Sequence, residues 1–299
     1  MTKTGLLELN AVAAVAAHRS FRQAAIALGM SPSALSHAIS GLEQRLGVRL
    51  FHRSTRSVSL SEAGARFLAR VQPALREIEG AIEDVNTFRD TPTGTLRLNT
   101  SEAAASHIFQ PIVLEFLARY PDMRVDLVTE GRFVDIVAEG YDAGIRLAES
   151  VPQDMIAVAC SAPLRFAVVG APAYFRRHPA PRTPADLRDH ICIRSRLPSG
   201  TLFHWEFEKK GKKIAVDVAG PLTLDSHLLM LQAAVAGTGL AWTSEWSVQA
   251  HIDAGRLVRV LKDWTPSYPG LRLFYPSRRH LSAGLRAFID LIAEVRGRA

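Results

Sequence analysis

Cysteine is nearly absent from this chain of 299 residues, which has Cys160 and Cys192 and no others. That leaves no disulfide framework and fits a reducing compartment. Long apolar runs are missing too. The Ala/Val-rich stretch at 11–17 is bounded by Asn10 and His18, and the apolar stretch at 228–242 is broken by Gln232 and two glycines. Neither can span a bilayer, and no apolar signal core follows a basic start, so a cytoplasmic protein with no membrane partner is expected. Catalytic signatures are also lacking: there is no G-x-S-x-G, no H-E-x-x-H and no Walker loop. Gly237-Thr238-Gly239 lacks the third glycine and the preceding strand of a dinucleotide site. The ten histidines include no pair at metal-ligand spacing near a carboxylate or cysteine. No enzyme activity, metal or cofactor is therefore expected.

Acidic residues are scarce in the first fifth of the chain. Residues 1–60 hold Lys3, Arg19, Arg22, Arg45, Arg49, Arg53 and Arg56 against Glu8 and Glu43, and so carry most of the net charge of +7. A basic end of this kind is the footprint of a polyanion-binding module. The rest of the composition, 47% hydrophobic and 22% charged, is that of a globular protein whose length implies two or three domains.

Within the basic end, "SFRQAAIALGMSPSALSHAIS" (residues 20–40) contains two helix starts. Ser20 with Gln23 fits a capping box, and Ser31 followed by Pro32 fits an N-cap with proline at the first helical position. Leu28-Gly29-Met30 supplies the turn between them, giving a helix-turn-helix at about 21–40. Leu6, Leu9, Ala13 and Ala16 recur at helical spacing in a first helix, and Leu35, Ile39, Leu42 and Leu46 form one stripe on the third. That stripe leaves Ser33, Ser36, His37 and Ser40 on the other side, short polar groups suited to a major groove. In "VRLFHRSTRSVSL", alternating apolar residues flank Arg53-Ser54-Thr55-Arg56, a hairpin or wing whose arginines can grip phosphates or enter the minor groove. Ser61 caps the next helix. There Leu68, Val71, Leu75, Ile78, Ile82 and Val85 advance by 3, 4, 3, 4 and 3, a heptad seam across about 61–89 that predicts pairing with another helix, with Pro73 bending it.

The order of these elements, with "LEQRLGVRLFHR" and "LSEAGARFL", resembles the N-terminal domain of LysR-type transcriptional regulators. Carried over by position, the resemblance places DNA contacts on Ser31, Ser33, Ala34, Ser36, His37 and Ser40 and on wing residues Arg53 and Arg56. His37 stands where the family more often has Arg or a similar long donor.

Beyond a Pro/Thr/Gly linker near 91–94, strands and helices alternate. The first series reads as strand 96–99, helix 108–120, strand 125–129, helix 133–139 and strand 143–147. The second begins at 163–169 and includes a hairpin turning at the lysine-rich 209–213, a helix at 225–236 and a strand at 240–243. A strand at 271–275 and a helix at 282–296 close the chain. The alternation predicts open, largely parallel sheets in two lobes, with crossings near 160–164 and 266–270. "VDIVAEGYDAGIRL", "GPLTLDSHLLMLQAAVAGTGLA" and "LRLFYPSRR" resemble the LysR effector domain, which is similar to type 2 periplasmic-binding proteins.

The expected organisation is α/β overall. A winged helix-turn-helix occupies 1–60, a dimerisation linker helix 61–90 and an effector-binding domain 91–299, with lobe 1 at 91–162 and 268–299 and lobe 2 at 163–267. Ligands of such folds meet strand ends and helix starts, which singles out Thr100, Ser101, Thr129, Arg146, Ser199 and Asp225. The implied function is a sequence-specific transcription regulator. Its partners are a near-palindromic operator in double-stranded DNA, an unidentified small-molecule effector between the lobes, and itself as homodimer or homotetramer. A redox sensor on the same architecture would need Cys160 and Cys192 to react, and their spacing neither supports nor excludes it. An enzyme or transport protein fused to a DNA-binding head lacks the nucleophile, metal set and signal segment it would need.

Overall fold

The computed structural model describes residues 5–53, 57–86, 91–276 and 281–298, with the side chains of 76 and 79–86 also outside the description. One compact unit comprises residues 1–89 with 137–140, and the other residues 90–136 and 141–299.

In the first unit, helices α1 (Leu6–His18), α2 (Phe21–Ala27) and α3 (Pro32–Leu46) precede strands β1 (Phe51–Arg53) and β2 (Val58–Leu60), and α4 (Glu62–Asn86) follows. Caps set the helix starts. Ser20 Oγ accepts from Gln23 N at 3.3 Å, Ser31 Oγ from Ala34 N at 3.2 Å and Ser61 Oγ from Gly64 N at 2.9 Å. Each bond satisfies an amide that the first turn leaves without a helical partner. Gly64 explains part of the "LSEAGARFL" pattern. A Cβ there would stand 2.0 Å from the carbonyl oxygen of Leu50, so the start of α4 can lie against the hairpin only without a side chain.

The core joins Val12 and Val15 of α1, Ala24 and Ala25 of α2, and Leu35, Ile39 and Leu42 of α3 to Leu50 and Phe51. Two details differ from the periodicity. In α1 the buried face is Ala11, Val12 and Val15, while Leu6 is 45% exposed. That helix is apolar nearly all round, so its own sequence does not select a face, and close approach to the alanines of α2 does. In α3 the stripe stops at Leu42, with Leu46 in the last turn 41% exposed. On α4, Leu68 packs on this core, Leu75 is buried and Ile78 is 42% exposed, with Pro73 inside the helix. Arg56, and the side chains of Ile82 and Val85, lie outside the described residues.

The second unit begins with β3 (Gly94–Thr100) and α5 (Glu102–Ile108). A π-helical segment (Phe109–Leu114), α6 (Glu115–Arg119), β4 (Met123–Thr129), β5 (Ala143–Leu147) and β6 (Met155–Ala159) complete this passage. The chain then crosses to β7 (Leu164–Gly170), α7 (Pro172–Phe175), β8 (Cys192–Ser195) and the hairpin of β9 (Trp205–Lys209) and β10 (Lys212–Val216). Next come β11 (Thr223–Leu224), α8 (His227–Val235), β12 (Leu240–Ser244), α9 (Glu245–Asp253), β13 (Val258–Val260) and β14 (Ser267–Tyr268). It returns through β15 (Leu271–Pro276) and α10 (Ala283–Arg298). One lobe is built on the sheet β4-β3-β5-β15-β6, the other on β11-β8-β12-β7-β13 with β14 added to β7.

The sheets are mixed, which corrects the expectation of largely parallel ones. β3 is parallel to β4 and β5, and β8 to β11 and β12. In contrast β15 runs antiparallel to β5 and β6, and β7 to β12, β13 and β14. These are the strands that follow the two crossings. Chain arriving from the other lobe enters at the end where the parallel strands finish, and must run against them. Residues 133–139 are not the expected helix: 136–140 form turns. Ile136 satisfies its burial there by packing with Tyr141 and Phe274. From 102 to 119 the chain is helical throughout and starts earlier than expected, with the π-helical segment containing Pro111, which has no amide to donate. Among the described residues no helix is long and apolar enough to cross a membrane.

Candidate nucleic-acid interface and effector cleft

Burial of Leu35, Ile39 and Leu42 turns the opposite side of α3 outward. Ser33, Ala34 and His37 are exposed, Ser36 and Ser40 half-buried, and Ser31 is the exposed cap, its Oγ 3.0 Å from Ser33 Oγ. The wing is fastened to this helix through Glu43. Its Oε1 accepts from Leu50 N at 2.8 Å and Phe51 N at 3.2 Å, and its Oε2 from Arg53 at 3.2 Å. Arg53 also donates to Ser36 Oγ at 3.2 Å and lies 4.4 Å above the ring of Phe21. "LEQRLGVRLFHR" therefore encodes a brace in which the Glu43 carboxylate satisfies the backbone entering the hairpin and one wing arginine. Arg45 pairs with Glu8, whose carboxyl this bond draws below its ordinary range. Arg19, Arg22 and Arg49 of the basic end, which belong to neither the α3 face nor the wing arginines, are exposed and have no carboxylate partner among the described residues.

In the second unit, three contacts join the lobes beside the strand ends. Ser226 Oγ donates to Glu102 Oε1 at 3.3 Å and His227 N to Glu102 Oε2 at 3.2 Å. The His107 ring meets Trp246 at 4.5 Å between centroids. Gly131 faces Pro198 so closely that a Cβ would lie 2.7 Å from Pro198 Cγ. The residues singled out from sequence lie around these contacts. Thr100 is fully buried and its hydroxyl donates to the carbonyl of Ile145 at 3.3 Å. Ser101 caps α5, accepting from Ala104 N at 3.2 Å. Thr129 ends β4, exposed, two residues before Gly131, and Ser199 Oγ is 2.7 Å from Thr201 Oγ1 in the loop of Pro198. Asp225 is exposed, one residue ahead of Ser226, which caps α8. The Glu102 bridge thus brings the Thr100–Ser101 and Asp225 ends together, and the Gly131 contact brings Thr129 and Ser199 to neighbouring loops.

Arg146 is buried and forms no ion pair among the described residues, though the Glu130 carboxylate acts on it through space. It donates to the carbonyls of Ile145 and Glu130 at 2.9 Å and Arg132 at 3.3 Å, and to Asn99 Oδ1. It so holds the loop after β4 onto the sheet, and burial draws its pKa down. Asn99 Nδ2, also buried, has no partner among the described residues. Glu102, Ser226 and His227 were not picked out from the sequence, where Glu102 reads as an ordinary first-turn acid and the segments that meet lie 124 residues apart.

Cys160 and Cys192 are free and buried in the cores of different lobes. Burial pushes both thiols up to about 12, which disfavours the reactive thiolate. Among the described residues no group of three or more His, Cys, Asp or Glu side chains is placed to hold a metal ion.

A basic winged helix, a long helix with an apolar seam and a two-lobed α/β unit are the parts of a ligand-responsive DNA-binding regulator. Family comparison agrees over both parts. Residues 6–65 match the bacterial regulatory helix-turn-helix proteins of the lysR family, and residues 89–297 match the LysR substrate binding domain. The chain belongs to the LysR family of transcriptional regulators, a family of regulators and not of enzymes. It is 44% identical over 279 residues to the uncharacterised HTH-type transcriptional regulator YcaN of Escherichia coli (strain K12), covering 93% of this chain and 91% of that protein. It is 38% identical to the HTH-type transcriptional regulator PgrR of the same organism, covering 97% of both chains. Among solved structures it resembles CrgA, a LysR-type transcriptional regulator from Neisseria meningitidis. The TM-score is 0.61 at 28% identity, with 98% of this chain and 99% of that one covered. The full-length virulence activator AphB of Vibrio cholerae shares the fold, with a TM-score of 0.66 at 21% identity over 98% and 99% of the two chains.

Proposed function

We propose that two chains pair along the α4 seam in the cytoplasm and set two α3 helices into successive half-sites of a near-palindromic operator, as a homodimer or a tetramer built from such pairs. The observation that carries this reading is the division of α3 into a buried apolar stripe and an outward face of Ser33, Ala34 and His37 beside the braced wing. Ser31, Ser33, Ala34, Ser36, His37 and Ser40 read or approach the groove, and Arg53 and Arg56 serve the backbone alongside it. A small-molecule effector enters between the lobes, bordered by Thr100, Ser101, Thr129, Arg146, Ser199 and Asp225, and shifts the balance among assembled forms.

The wing supplies the test. Arg53 reaches a phosphate by exchanging Glu43 for it, so Arg53→Ala weakens binding across sequences and lessens the slope of log affinity against log salt by about 0.9. An unchanged slope in binding titrations at several salt concentrations would remove Arg53 from the phosphate contacts and leave it as the brace of Ser36.

A further inference from the structure

The N-terminus of α8 opens at the junction of the lobes and is already occupied. Ser226 caps it, its hydroxyl accepting from Leu229 N at 3.4 Å and donating to Glu102 Oε1 at 3.3 Å. The next free amide, His227 N, donates to Glu102 Oε2 at 3.2 Å. Both carboxylate oxygens are therefore spent on a helix of the other lobe. Glu102 is also in the first turn of its own helix, which Ser101 caps, so the carboxylate lies between two helix N-termini, where a negative charge is favoured. His227 Nδ1 beside it is buried without a partner among the described residues, and burial draws that imidazole's pKa below its ordinary value against the opposing pull of Glu102. The same α5 carries His107, whose ring meets Trp246 at 4.5 Å, and Trp246 packs on the core of the first lobe. One short helix thus supplies two of the lobe-to-lobe contacts.

We propose that Glu102 is an internal ligand of the cleft: it clamps the lobes through the start of α8 and excludes small carboxylates from that position. The exclusion follows from tethering. A carboxylate fixed in the same molecule acts at an effective concentration of millimolar or more, and a free anion must displace it. The proposal rests on reading the cleft as the effector site. Under that reading Glu102 determines ligand class, because an effector can keep the clamp only if it places no anionic group at α8.

The test uses full-length protein without effector or DNA, with sodium acetate as the probe and sodium chloride at matched ionic strength as the control. In Glu102→Ala, exchange of the His227 amide, followed by hydrogen–deuterium exchange, rises roughly tenfold or more, as loss of a bond to a charged group requires. Thermal unfolding of the same variant falls by roughly 2–4 °C. Acetate reverses both changes saturably, while wild type and Glu102→Gln, whose amide still fills the position, do not respond. If the alanine variant does not fold, Glu102→Asp, which keeps the charge but is one methylene short, takes its place in the same titration. Unchanged exchange and melting in the variant would overturn the clamp, and faster exchange that acetate does not slow would overturn the anion position. Because no effector is present, either result stands apart from the effector reading, which fails separately if substitutions around Thr129 and Ser199 leave effector response intact.

Discussion

Ser33, Ala34 and His37 stand exposed on α3, whereas Thr100, Glu102 and Arg146 are each bonded to another part of their own unit. The outward face of α3, proposed to meet DNA, has side chains left over for a partner. At the junction of the lobes Thr100, Glu102 and Arg146 are already bonded within the chain, so a ligand reaching these three must exchange bonds. Substitutions on the outward face of α3 should then change recognition and spare stability. In the cleft, stability should respond first. The brace at Glu43 is an exception on the DNA side, since its partners are the backbone and a wing arginine.

The largest effect is expected where the DNA-facing surface depends on a second copy. Ile78→Asp, at an exposed apolar position of the α4 seam, is predicted to give monomers in sedimentation experiments and to lower operator affinity by roughly 10²–10⁴, the loss of linked half-sites. Dimers that persist would show that the seam does not pair. Next is the exception itself. Glu43→Ala removes an acceptor from two backbone amides and one guanidinium, and should cost about 2 kcal/mol in denaturant unfolding of the winged helix.

His37→Ala should change discrimination at one base position by about 1–3 kcal/mol while leaving the melting temperature alone. A consensus identical to that of wild type would take His37 off the reading face, and a lower melting temperature would blur the contrast between the two regions. The smallest effect concerns the cleft imidazoles. Burial holds His107 and His227 below their ordinary 6.5. As pH falls below that value the unfolded chain takes up protons before the folded one does. Their contribution to stability is therefore complete above about pH 6.5 and lost as pH drops through the folded values. His107→Gln should flatten the fall in stability as pH drops below about 6.5, and an unchanged slope would mean that burial does not lower this imidazole's pKa.

Sequence legibility follows the range of the interactions. Ser20, Ser31 and Ser61 act within three residues, and each cap stands where local chemistry put it. The wing and the long helix are equally local, and the motif residues Glu43 and Gly64 meet partners close along the chain, Arg53 and Leu50. The regulatory unit is decided at longer range. Strand direction at β7 and β15 depends on where the chain re-enters a sheet, which alternating βα segments do not record. Residues 133–139 have apolar residues at helical spacing, yet Ile136 is buried through Tyr141 and Phe274, the latter from a strand far along the chain. Glu102 and Ser226 each carry an ordinary helix-start signal. Their meeting depends on how the two lobes close.

The central claim is that the outward face of α3 reads sequence. The measurement that tests it most directly is selection of bound fragments from the source genome by the purified full-length protein at physiological salt, with the retained DNA sequenced. Enrichment of a few promoters sharing a near-palindrome, with half-sites one helical turn or a multiple of it apart, is the predicted result. Uniform, salt-sensitive retention of all fragments would mean that the basic end binds phosphate without reading bases, and would contradict it.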